Sequence, residues 1–176
     1  MTHSEHPRAG VNPSDDWAAW FRAASQPPIA QRLQELCCVI EQRIVECGPV
    51  CWASGRCCRF DTYGHRLYVT ALEIAWVLRN LPKDDATSDR DTRLELLQPS
   101  DSCTFQRDRQ CTIHTIRPPA CRLFFCQRDV QHWQQALHER ILAQVKALHR
   151  EYGLAYRYME WRAGLAEAQA YVDVAG

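Results

Sequence analysis

Ten cysteines stand in this chain of 176 residues, and eight of them fall into two groups. Cys47, Cys51, Cys57 and Cys58 crowd the first; Cys103, Cys111, Cys121 and Cys126 form the second. Thiolate is the metal-binding form of cysteine, and a closed tetrahedral site takes four soft ligands, commonly from two short knuckles. Eight thiols exceed one such shell. Either two metals bind, or four cysteines bind one and the rest pack or react.

The N-terminal stretch MTHSEHPRAGVNPSDD is polar and mixed in charge, without the basic region and apolar run of a secretory signal. The longest apolar runs fall far short of the ~20 residues a membrane span needs. The expectation is a soluble, cytoplasmic chain, where closely spaced cysteines point to metal or redox chemistry more than to disulfides.

The candidate ligands differ in how well their surroundings suit the task. Cys121 follows Pro118-Pro119, a good opening for a short helix, and is flanked by Arg117 and Arg122. First-turn N–H groups and two guanidiniums favour its thiolate. Cys103 and Cys111 bracket RDRQ, a plausible hairpin turn that can aim two sulfurs at one site. Cys57 and Cys58 are adjacent. In an extended segment their side chains point to opposite faces, so one binds while the other packs, or they feed two sites. Cys47 follows a helix end and Cys51 a proline turn. Cys126 lies about 140° from Cys121 on a helix, so both hold one ion only if the helix ends between them.

Cys37 and Cys38 fall within a predicted helix and read as core. His114 makes a C-x2-H pair with Cys111 but reads first as a structural histidine. His3, His6, His65, His132, His138 and His149 have no ligand-like partners in sequence and read as surface or ordinary packing.

Charge sharpens the picture. Lys+Arg and Asp+Glu are 21 each, so the net charge is zero, with no general electrostatic case for nucleic acid or an anionic membrane. No RNP-like pattern accompanies the aromatic residues Trp133, Tyr152, Tyr156, Tyr158 and Trp161, which read as core and helix packing. The neutrality is an average. The cysteine segments hold Arg56, Arg59, Arg107, Arg109, Arg117, Arg122 and Arg128 against one acid, Asp108. A zinc or iron centre built on thiolates is anionic, and Arg117 and Arg122 read as donors around it. A pocket for an anionic substrate is the alternative.

The elements that must position these residues are mostly helical. Residues 1 to 13 read as a flexible arm and 14–176 as one domain. Ser14 is a plausible cap for a short helix with Trp17, Trp20 and Phe21 on one stripe. Ile29 to Cys47 is an amphipathic helix stopped by Gly48-Pro49. His65 to Val69 suggests a short strand, and Thr70 with Glu73 a capping box opening a helix to about Leu81. A polar connector fills 82–102. Asp129 is a candidate cap for a long helix to about Tyr152, ended by Gly153, and an Ala-rich last helix follows. The fold class expected is mainly α: a compact helical domain with a cysteine-rich metal-binding core, with room for one small β-hairpin.

The stretches CGPVCWASGRCCRFD (47–61) and CTFQRDRQCTIHTIRPPACRLFFC (103–126) resemble the YkgJ-like cysteine-cluster family, described as zinc- or iron-chelating. The positions that carry the resemblance are Cys47, Cys51, Cys57, Cys58, Cys103, Cys111, Ile113, Arg117, Pro118, Cys121, Arg122 and Phe124. The first cluster is wider than the family's, Thr104 stands where proline is usual, and His114 where tyrosine is usual. The resemblance implies metal binding through the seven cysteines among these positions; Cys126 is a candidate on its place in the second group alone. Some relatives carry such a domain within a longer flagellin lysine N-methylase. An iron–sulfur redox protein or a protein-modifying enzyme using the same cysteines is therefore the alternative, although no Gly-rich cofactor loop is found.

Overall fold

Helix α4, Ala71–Arg79, is apolar except for Glu73 and Arg79, and so apolar a helix must be enclosed by others. Every residue from Ala71 to Val77 is buried, including Glu73. Around it pack α1 (Pro13–Ala24) and α7 (Trp161–Ala175). The computed structural model describes residues 13–48, 55–81, 102–124 and 131–175. Cys51, Cys126, Asp129 and the polar connector therefore lie outside the described residues, as does the N-terminal arm up to residue 12.

Helix α2 (Pro27–Cys47) opens with prolines in its first turn and ends on Gly48 in the left-handed region, whose N–H caps the Ile44 carbonyl. Its buried stripe is Ile29, Leu33, Cys37 and Ile40. The first three join the main core, while Ile40 joins a second cluster with Leu123, Leu137 and Ile141. That second cluster fastens α5 (Pro119–Leu123) and α6 (Gln131–Glu151) to α2. Cys37 is core as expected. Cys38, about 100° further round the helix, falls outside that stripe and is exposed.

Beside α4 lies a ribbon that joins two distant parts of the chain. A strand does follow His65, but as β1, Tyr68–Thr70, and its partner is β4, Tyr158–Glu160, from the aromatic segment near the C-terminus. The strands run antiparallel with Val69 opposite Met159. Hydrogen bonds from Ala71 N to Arg157 O (3.0 Å) and from Trp161 N to Leu67 O (2.8 Å) extend the pairing at both ends. Each strand runs straight into a helix, α4 or α7, so the ribbon sets the two helices side by side. Thr70 makes the full capping box with Glu73. The first helix starts at Pro13, which places Ser14 inside its first turn instead of at the cap.

Candidate metal centre

Three segments build the site. The first is a 3₁₀ turn, Arg56–Cys58, entered through Gly55 at φ +68° and followed by α3, Phe60–Tyr63. The second is the hairpin of β2 (Gln106–Arg107) and β3 (Gln110–Cys111), whose turn residues Asp108 and Arg109 both have positive φ. That is the twist a two-residue hairpin loop demands. The third is α5, with Pro118 at its N-cap and Cys121 within it.

One backbone and one side-chain hydrogen bond lock the first two together. Cys103 N–H donates to the Cys58 carbonyl at 2.6 Å, and Gln106 Nε2 donates to the Gly55 carbonyl at 2.8 Å. The expectation that Cys57 and Cys58 face opposite ways is corrected. The segment is a 3₁₀ turn, not extended chain, and the two sulfurs lie 3.9 Å apart. Cys103 Sγ accepts a hydrogen bond from the indole N–H of Trp161 at 3.3 Å, with both residues buried.

Five sulfurs share one electrostatic neighbourhood: Cys57, Cys58, Cys103, Cys111 and Cys121. Cys58 lies beside both Cys103 and Cys57, and its interactions with them, together with its own desolvation, push its thiol up. The Cys57 thiol is lowered to about 6, first by its contact with Cys58 and then, against burial, by the Arg117 guanidinium. Cys103 is lowered by Cys58, then, against burial, by Trp161 and a backbone N–H. Burial pushes Cys111 up, helped by the charges of Cys103 and Cys57. Burial pushes Cys121 well up, and Cys103 and Cys111 add to it. The expectation that helix and arginines favour a Cys121 thiolate is corrected: desolvation outweighs Arg117, and Arg122 is engaged elsewhere.

The two flanking arginines divide. Arg117 donates through Nε to the His114 carbonyl (3.1 Å), and its charge favours the thiolates of Cys57, Cys111 and Cys121. Arg122 is 3% exposed and points the other way. Its Nε donates to the Arg117 carbonyl (2.9 Å), and its two terminal nitrogens meet the Thr115 carbonyl and the Glu41 carboxylate of α2. It clamps the turn before α5 onto α2.

Cys47 ends α2 beside Arg43, and among the described residues no thiol contact links it to the five. His114 is exposed in a 3₁₀ turn, its pKa lowered by burial of the ring and the nearby Arg117 and Arg122. Among the described residues, no group of three or more His, Cys, Asp or Glu side chains is gathered tightly enough to hold a metal ion.

Two further residues serve the site without a signal in sequence. His65 donates from Nε2 to the Cys57 carbonyl (3.3 Å) and stacks on Phe124, just beyond α5, at 4.5 Å. It bridges the first and third segments. Glu73 receives the Thr70 N–H (2.8 Å) and hydroxyl (2.9 Å), and the Ala120 N–H at the start of α5 also lies on its carboxylate. Burial nonetheless raises its pKa. The capping pattern revealed the first pairing but could not reveal the second, which comes from a distant segment.

Compared with protein-family models, curated proteins and solved structures, the chain matches none.

Proposed function

We propose that the chain is a metal-binding protein that holds zinc or iron through cysteine thiolates, in a reducing, cytoplasmic setting. The observation that carries the reading is the convergence of Cys57, Cys58, Cys103, Cys111 and Cys121 from three separate segments into one electrostatic neighbourhood. The donor set suits a soft or borderline ion, and all five are free thiols. The Cys57 to Cys58 sulfur spacing of 3.9 Å is close to the edge, about 3.8 Å, of a tetrahedron with Zn–S bonds of about 2.3 Å.

Cys57 and Cys103 have surroundings that favour thiolate, and Cys58, Cys111 and Cys121 supply further sulfur. Binding a cation would release the protons that burial now holds on Cys111 and Cys121. A zinc ion in a closed thiolate shell adds folding energy and carries out no reaction. Here it would tie the Arg56–Cys58 turn, the hairpin and α5 into one unit, with Arg117 offsetting the negative charge.

Elemental analysis of anaerobically isolated protein tests the reading. Stoichiometric zinc, or iron with or without sulfide, supports it, and loss of that metal in Cys103→Ser locates it. Protein that is metal-free as isolated and takes up neither zinc nor iron disproves it.

A further inference from the structure

Trp161 is the first residue of α7 and fully buried, with its ring 6.1 Å from that of Phe105. Indole has a single N–H and no acceptor, and in a core that donor usually finds an oxygen. Among the described residues the other fully buried tryptophan follows the rule: Trp20 donates to the Ala155 carbonyl at 2.9 Å. Trp161 instead spends its donor on Cys103 Sγ, 58 residues away in sequence. A neutral thiol is a weak acceptor, so this placement returns little while Cys103 is protonated. A thiolate is different, because an ionised acceptor roughly doubles the strength of a hydrogen bond.

We infer that Trp161 is a positioning residue of the proposed centre, its indole N–H orienting Cys103 Sγ and stabilising the thiolate of that ligand. The inference rests on the reading of Cys103 as a metal ligand. It couples a residue that sequence places in the C-terminal helix to the metal affinity of the hairpin. The geometry around it is preset. The Trp161 N–H bond to Leu67 O holds the ring's backbone, and the Cys103 N–H bond to Cys58 O holds the sulfur's. Donors of this kind beside metal ligands are typically worth 10- to 100-fold in metal affinity.

The test uses the full chain, stripped of metal under reducing anaerobic conditions and titrated with cobalt(II), whose thiolate charge-transfer band reports the sulfurs directly. Trp161→Phe removes the N–H and keeps an aromatic ring. Trp20→Phe is the control, since it removes an equally buried indole bonded to a carbonyl. The expected result is cobalt affinity about tenfold weaker in Trp161→Phe. Its band should also move to longer wavelength, because the sulfur lone pairs rise in energy when the donor is lost. Trp20→Phe should keep the wild-type band and affinity.

Wild-type band and affinity in Trp161→Phe overturn the inference and leave the proposed centre standing. Equal weakening in both variants, with unmoved bands, overturns it too, as that is the mark of a general loss of packing. The absence of any thiolate band in the wild type removes the centre and the inference together. Should Trp161→Phe fail to fold, benzothienylalanine incorporated at position 161 keeps the shape and lacks the N–H, and the same two readouts then decide.

Discussion

Arg122 on α5 and Glu41 on α2 form an ion pair across 81 residues of sequence, the arginine buried and the carboxylate half exposed. The same guanidinium holds two backbone carbonyls, those of Thr115 and Arg117. One side chain therefore fastens the turn that carries Arg117 to the helix that carries Cys37. The asymmetry in exposure decides what each deletion does. Arg122→Ala leaves a partly solvated carboxylate and two carbonyls without their donor, and should cost about 2–4 kcal/mol. Glu41→Gln removes a partner already in contact with water and should cost at most about 1 kcal/mol. Urea unfolding of the two variants measures the difference; equal losses would contradict the clamp.

Gly55 is a tight point between the first two segments. An added Cβ would sit 2.5 Å from Gln106 Nε2 and 2.7 Å from the Arg109 carbonyl oxygen, at a φ of +68° that L side chains rarely adopt. Gly55→Ala should therefore cost about 2 kcal/mol or more through strain and displacement of the hairpin. Because the hairpin brings Cys103 and Cys111 to Cys57 and Cys58, zinc affinity should fall with it. Gly48→Ala is the comparison: its φ is similarly positive, but nothing lies within 4 Å of the added atom. A smaller loss of stability and unchanged zinc binding are expected there.

The cysteines should separate into two classes. Cys57→Ser, Cys103→Ser, Cys111→Ser and Cys121→Ser should each lower bound zinc in the purified protein. Cys38→Ser and Cys47→Ser should leave it unchanged, since Cys38 is exposed on α2 and Cys47 is not linked to the five sulfurs. Metal content per chain for the six variants checks this. Loss of zinc in Cys47→Ser would show that the wider first cluster reaches the site.

Acid should weaken the fold through His149. Its Nδ1–H donates to the Ala155 carbonyl at 2.8 Å, its Nε2 has no partner among the described residues, and burial holds its pKa below the ordinary 6.5. The unfolded chain thus binds the proton more readily than the folded one. The contribution is fully present above about 6.5 and is lost as pH falls from there toward the lowered folded value. His138 and His114 are shifted in the same direction by burial. Glu73 acts oppositely: burial raises its pKa, so its contribution declines as pH rises from about 4.5 through the folded value. Urea midpoints between pH 5 and 7.5 should show a steeper acid decline in the wild type than in His149→Gln. An identical decline in the two would rule out His149 as a source.

Much of the helical frame was legible in sequence because its signals are local. The α2 stripe, the prolines that open it, Gly48 and Gly153 beyond helix ends, and the Thr70–Glu73 capping box each act within about one helical turn. The hairpin between Cys103 and Ile113 was legible for the same reason. The β1–β4 ribbon was not, since its strands are three residues each and 90 positions apart, too short to show alternation. The conformation at Cys57–Cys58 was misjudged because a short cysteine-rich turn has no period.

Sequence by itself determined the candidate donors: eight clustered thiols, the arginine excess around them, and much of the helical frame. Only the tertiary structure decided which sulfurs lie near one another and which way burial and neighbours shift each thiol. It turned Arg117 toward the thiols and Arg122 away from them, and it desolvated Cys121 enough to outweigh its helix and arginine. It also brought Trp161 to Cys103. Ionisation and sulfur spacing depend on burial and on neighbours within a few ångströms, and those neighbours come from segments that sequence order keeps far apart.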